Sequence, residues 1–252
     1  MRSVGIVVPA FRPDVDRLAS YVADLRAELD PTSVRIEVDD PSEAVVAALA
    51  DLPATVNASP YRRGKGKAIT AGFEALETDT VAFVDADGST PASELVSILA
   101  TVDGGGDLAV GSRRHPDATI TSHQTFARRF LGDGFAWLAR RLLDADLYDY
   151  QCGAKALTRA AWHAVRGHLY EPGFAWDVEL VAMAGALDLD VVEVPITWED
   201  QPGSTVSPVR TSLRLARALL SARHRAKRIR NSRVHRAIAA TRGEPTALVD
   251  ED

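Results

Sequence analysis

Five short apolar runs, at residues 3–8, 34–38, 54–57, 80–84 and 108–110, alternate with four segments whose apolar residues recur at helical spacing, 14–29, 42–52, 65–76 and 91–102. In the first of these segments Val15, Leu18, Val22, Leu25 and Leu29 share one face. Ser42 stands as the N-cap of the second, and Thr90 followed by Pro91 opens the fourth. Such alternation dictates an α/β domain with a mostly parallel, Rossmann-like sheet flanked by helices. In sheets of this kind ligands gather at the carboxyl ends of the strands.

Four polar clusters fall at those ends: Pro9-Ala10-Phe11, Asp39-Asp40, Asp85-Ala86-Asp87 and Gly111-Ser112-Arg113. If the extended chain persists past Val84, Asp85 and Asp87 point the same way. Two close carboxylates raise each other's pKa unless a cation lies between them, and hard oxygen ligands suit Mg²⁺ or Mn²⁺. The structural alternative is a plain strand-end turn closed by Gly88. Arg62-Arg63-Gly64-Lys65-Gly66-Lys67 opens a helix, where glycine admits a phosphate and the helix N-terminus favours an anion. The alternative there is a basic surface loop. The segment is no Walker A loop, and the turn after the first strand lacks the dinucleotide glycines, which argues against NAD and flavin enzymes.

The second half reads differently. Residues 123–143 form a long arginine-bearing helix, 150–157 a strand, 158–165 and 176–186 helices, 191–197 a strand, and 201–208 a loop rich in Gly, Pro and Ser. Residues 209–240 are mainly helix, and 243–252 read as an acidic, disordered tail. No apolar stretch reaches the roughly 20 residues of a membrane span, and the start does not read as a signal peptide. Cys152 is the only cysteine, so no internal disulfide forms and a reducing cytoplasmic setting fits.

Charge is uneven. Residues 201–243 hold eleven Lys/Arg and no acid, which leaves 18 basic against 35 acidic residues, −17, in the rest of a chain whose net charge is −6. The acidic body has few lysines, a composition that a high-salt cytoplasm favours. The basic segment carries its arginines on one side and Val209, Leu213, Leu215, Ala216, Leu219 and Leu220 on the other. Such a helix either lies on an anionic membrane surface or packs on the acidic body. It lacks the interleaved aromatics of a nucleic-acid binder.

Taken together, VVPAF, VDD, RRGKGKAITAGFEAL, VAFVDADGSTP, LAVGSRR, YQCGAKALTR, FAWDVELVAMA and VVEVPITWEDQPGS resemble, in order and over about residues 3–207, the inverting family 2 glycosyltransferases of the GT-A fold. The nearest likeness is to their dolichyl-phosphate glucosyl and mannosyl branches. The chain departs from the family at Pro41, where a glycine is usual, and in PAFRP for PAYNE.

The resemblance implies a nucleotide-sugar donor, with Pro9, Ala10, Phe11, Asp39, Arg63, Gly64, Lys65, Asp85 and Ala86 along the nucleotide. Asp85 and Asp87 would hold Mg²⁺ or Mn²⁺ against the diphosphate. It further implies a polyprenyl phosphate acceptor, whose anionic oxygen needs cationic neighbours more than a base. Arg113, Arg128 and Arg129 are the candidates. Asp177 is the candidate base for a hydroxyl acceptor or a sugar contact, and Asp87, Arg113 and Asp177 form the catalytic set.

The expectation is therefore one catalytic domain over 1–208, a basic helical extension over 209–242 and a tail over 243–252. It would transfer a hexose, UDP-glucose being favoured as donor and GDP-mannose next, with inversion, at the inner face of the cell membrane and without nucleic acid. The alternatives are a soluble transferase acting on a hydroxyl, and a non-catalytic nucleotide-sugar binding module.

Overall fold

The computed structural model describes residues 2–121, 126–199, 208–235 and 245–251, with the side chains of 126–132 and 208–213 outside the description. In chain order the elements are β1 (Val4–Phe11), α1 (Val15–Leu29), β2 (Ser33–Asp39), α2 (Glu43–Leu49), β3 (Thr55–Ser59), α3 (Lys65–Glu74), β4 (Thr80–Val84), α4 (Glu94–Asp103) and β5 (Leu108–Ser112). They continue with β6 (Thr119–Ile120), α5 (Phe126–Leu142), β7 (Ala154–Thr158), α6 (Arg159–Val165), α7 (Trp176–Ala186), β8 (Val191–Pro195), β9 (Thr197–Trp198) and α8 (Pro208–Ile229).

The main sheet has seven strands in the order β3-β2-β1-β4-β7-β5-β8. All neighbours are parallel except β7, which runs antiparallel to both β4 and β5. That reversal positions the site. Val84, the last residue of β4, pairs with Ala154, the first of β7, so residues 149–153 enter at the carboxyl edge of the sheet. The amide of Asp85 then donates to the carbonyl of Gly153 at 2.9 Å.

Alternating side chains on β1 feed two cores. Ile6 and Val8 pack with α1, α2 and α4 on one face, while Val7 packs with α3, α6 and α7 on the other. On the second face Phe73, Phe83, Trp162 and Trp176 meet edge to face or tilted, with Phe83 and Trp176 centroids 5.6 Å apart at 81°. Helix α7 is buried at every position. A helix that is apolar but for Asp177 and Glu179 needs a cover on its outer side, and α8 provides it: Leu219, Ala222 and Ala226 are buried in the same core.

Caps follow the sequence where it offers them. Asp14, Ser42 and Thr158 accept amide protons at the starts of α1, α2 and α6. The fourth helix departs from expectation. It begins at Glu94, because residues 91–93 form a turn and Tyr21 Oη donates to the Thr90 carbonyl at 2.6 Å. The strand expected over 191–197 breaks at Ile196, and β9 pairs instead with β6 in a small second sheet. Strand β7 starts four residues later than expected, since 150–153 form a loop that lines the site.

The basic segment is corrected in the same way. Among its described residues, Leu219, Ala222 and Ala226 of α8 are buried in the core that holds α7 while Leu220 stays exposed, and three of its cations meet acids of the body. Arg225 pairs with Glu179, Lys227 and Arg230 with Asp144, and Arg230 with Asp188. The expectation of a disordered tail fails for residues 245–251: Leu248 is buried, its amide donates to the Leu169 carbonyl at 2.8 Å, and Glu251 pairs with Lys67 at 3.0 Å. No helix among the described residues is long and apolar enough to cross a membrane. The expected loop over 201–208 lies, but for its last residue, outside the described residues.

Candidate active site

The carboxyl edge brings together β1, β2, β4, β5 and the entrance to β7, as the strand order requires. At its centre is a chain of alternating charges. Lys65 Nζ lies 2.8 Å from Asp85 Oδ1 and 2.8 Å from Asp177 Oδ2. Lys155 Nζ lies 2.9 Å from Asp177 Oδ1 and donates to the Cys152 carbonyl at 2.6 Å. Both ammonium groups sit over the Phe83 ring, and Lys65 also faces Phe174.

Asp177 is wholly buried and both its oxygens are ion-paired. It holds two lysines in place, an arrangement the reading as a base did not foresee. Burial alone would lower the pKa of Lys65, but Asp177 and Asp85 outweigh it and the shift is upward. Lys65 therefore stays charged.

Asp85 carries a carboxyl whose pKa is raised, first by desolvation, with Lys65 opposing and Asp177 and Asp87 adding. Its carboxylate lies flat against Gly153, where a Cβ would stand 1.8 Å from Oδ2. Only glycine allows that approach. The extended form does not persist past Val84, since Ala86 and Asp87 form a turn and Gly88 adopts φ +69°. Asp87 is exposed and accepts the Ser89 amide at 2.9 Å. The two carboxylates are hard oxygen donors of the kind that suits Mg²⁺ or Mn²⁺, and any further ligands would have to come from outside the His, Cys, Asp and Glu side chains described. No group of three or more His, Cys, Asp or Glu side chains suited to a metal occurs among the described residues.

The nucleotide side is ordered by Asp39. It is buried, takes Arg63 Nε on Oδ1 and the Gly64 amide on Oδ2, both at 2.8 Å, and so fixes the loop before α3 rather than presenting itself to a base. Arg63 also reaches Glu37 at 2.9 Å, and its buried Nη2 has no hydrogen-bond partner among the described residues. Gly64 adopts φ +98°, and a Cβ there would strike the Pro172 carbonyl oxygen at 2.5 Å. Phe11 is half-buried with Arg12 and Arg62 on its ring, at 5.0 and 4.1 Å from the centroid. Ala10 beside it is buried and Pro9 partly so.

Across the cleft Arg113 grips Asp149 through Nε at 2.7 Å and Nη2 at 3.1 Å, and its guanidinium faces Trp198. Burial would raise the Asp149 carboxyl, yet Arg113 holds it below the usual carboxylate range. Cys152 is buried, and burial pushes its thiol up to about 12, so it is no nucleophile. The side chains of Arg128 and Arg129 lie outside the described residues.

Sequence reasoning named the acids, Lys65 and Arg113. It placed Lys155 only within the Gln151–Lys155 motif expected to shape the sugar or acceptor pocket, without its ion pair, and it passed over Asp149 and Glu37. The signal for Lys155 was a lysine inside the apolar run of β7, which requires a buried counter-ion.

Fold and site define an α/β domain of the Rossmann-like kind, with a charged cleft at the switch point of a mixed sheet. The model of glycosyl transferase family 2 matches residues 6–161, and the chain belongs to that family. It is 32% identical over 163 residues to glycosyltransferase AglD of Haloferax volcanii, covering 64% of this chain but only 26% of that protein. It is 27% identical over 246 residues to the dolichyl-phosphate beta-glucosyltransferase of Dictyostelium discoideum, covering 88% and 74%. Among solved structures it resembles glucosyl-3-phosphoglycerate synthase from Mycobacterium tuberculosis in complex with Mn²⁺, uridine diphosphate and glucosyl-3-phosphoglycerate, with TM-score 0.68, 14% identity, and coverage of 88% of this chain and 80% of that one. At that identity the likeness establishes the fold, GT-A.

Proposed function

We propose that the protein transfers a hexose from a nucleotide sugar, UDP-glucose by preference, to a polyprenyl phosphate of the dolichyl type, with inversion at the anomeric carbon. The observation that carries this reading is the saturation of Asp177 by Lys65 and Lys155. A sugar hydroxyl needs a base to take its proton, whereas a phosphate monoester is already anionic. A cleft rich in fixed cations and with its central buried carboxylate ion-paired suits the second nucleophile. The names of relatives such as the Dictyostelium protein support the same acceptor.

In this scheme the phosphate oxygen attacks the anomeric carbon from the face opposite the nucleoside diphosphate. One bond forms as the other breaks, so configuration inverts. Asp85 and Asp87 would hold Mg²⁺ or Mn²⁺, which when bound stabilises the charge developing on the diphosphate. Lys65 stands beside that charge, Arg63 holds the loop along which the nucleotide would lie, and Arg113 faces the incoming phosphate. The water-exposed side of the basic helix would keep the enzyme at the inner face of an anionic membrane, where such an acceptor resides. Exposed Trp137 and Leu220 support that contact.

The experiment is a partition assay. Radiolabelled UDP-glucose is incubated with the protein, Mn²⁺ and polyprenyl phosphate, then extracted into organic solvent. Label in the organic phase supports the reading. Label that stays in water while a hydroxyl acceptor is glycosylated sinks it.

A further inference from the structure

Beyond Arg113, a cleft of about 230 Å³ is lined by Arg114, His115, Ile120 and Asp133. Its floor is the turn after β5. Buried Ser112 sets that turn by accepting the amides of Arg114 at 3.3 Å and His115 at 2.9 Å. The imidazole is then fixed on two sides. Its ring meets Tyr148 edge to face at 5.6 Å, and its Nδ1 accepts the Asp117 amide at 3.2 Å. With Nδ1 accepting, the ring proton is on Nε2, and the Asp117 carboxylate stands 3.6 Å from the same Nδ1. That Nε2–H has no hydrogen-bond partner among the described residues.

The two arginines of the cleft are already balanced by carboxylates, Arg113 by Asp149 and Arg114 by Asp133. Ile120, an exposed apolar side chain, lines the same cleft. An oriented donor, two guanidinium groups and an apolar wall together match a phosphate monoester of an apolar alcohol.

We propose that His115 is a binding residue for the acceptor, donating its Nε2 proton to a phosphate oxygen. This rests on the acceptor reading given above. The ring is held by Asp117 and Tyr148 so that no reorientation is needed when the phosphate arrives.

The test uses the whole chain, with a short isoprenyl monophosphate and inorganic phosphate as separate probes. In the wild type the imidazole Nε2 resonance moves on adding the monoester without donor. In His115→Ala the KM for the monoester rises on the order of tenfold, the usual worth of a hydrogen bond to a charged group, while kcat and the donor KM stay unchanged. His115→Gln, whose amide can donate from a similar position, recovers most of the loss. A monoester shift with no response to inorganic phosphate assigns the site to the lipid headgroup, and an equal response to both makes it a general phosphate site; either upholds the hydrogen bond. An unmoved Nε2 resonance, or unchanged monoester affinity in His115→Ala, overturns the proposal even if transfer to lipid phosphate is observed. Binding through His115 without any transfer upholds it and removes the acceptor reading instead.

Discussion

Lys65 Nζ stands 2.8 Å from Asp85 Oδ1, so the cation of the helix-opening loop rests on one of the two carboxylates that would take a divalent metal. A lysine there holds the carboxylate in place but also competes for it. Lys65→Met is expected to tighten Mn²⁺ binding in the absence of nucleotide, read by electron paramagnetic resonance of free manganese. It is also expected to cost on the order of 10²-fold in kcat, the scale of losing one charge-stabilising group. Weaker Mn²⁺ binding in the variant contradicts the competition.

Asp87 is exposed and its one recorded hydrogen bond is to the Ser89 amide. Asp87→Ala should leave the thermal transition within a few degrees of the wild type, because a surface substitution changes stability by about 0.5 kcal/mol. Sugar transfer should be abolished. Near-normal transfer rules out a metal role for this residue.

Gly153→Ala places a Cβ 1.8 Å from the Asp85 carboxylate. The carboxylate must move, at a cost of about 1–3 kcal/mol in stability for an overpacked site. Manganese affinity and transfer should fall together, measured by titration and by the partition assay. If both persist, the carboxylate has room that the packing denies.

Asp149→Asn leaves the Arg113 guanidinium without its buried anion and should cost about 3–5 kcal/mol at neutral pH, by urea unfolding. The sign of the pH dependence follows from the lowered carboxyl of Asp149. Its contribution is full above the ordinary value of 3.8 and is lost as pH falls below that toward the folded value. The gap between variant and wild type should therefore close in acid. A gap that widens there contradicts the ion pair.

Leu219 is wholly buried against α7, while Leu220 is 58% exposed. Leu219→Ala should cost about 2–5 kcal/mol and Leu220→Ala close to nothing. Deleting α8 would uncover the same core, so membrane contact is better probed by exchanging exposed Arg214 and Arg217 for Gln and measuring vesicle flotation at low salt.

The strands of the first half were legible because β-branched runs bounded by turns have few other fates. The site acids were legible because strand ends are where an α/β sheet exposes polar groups. The direction of β7 was not legible, since alternation of side chains is the same for a parallel and an antiparallel strand. With that direction went the meeting of Lys155, Asp177 and Lys65, residues spread from 65 to 177. Helix α8 posed a different problem. Its stripe of leucine and alanine says that one side must leave water, but not whether lipid or protein receives it. The answer lay in α7, buried at every position and so in need of a cover.

The reversed strand also sets a schedule. A nascent chain halted at residue 150 would present both aspartates of the β4 turn, yet lack the Gly153 carbonyl that anchors Asp85 and the Lys155 ammonium that completes the charged chain. The charged cleft closes only once the returning segment has been made and slots between β4 and β5.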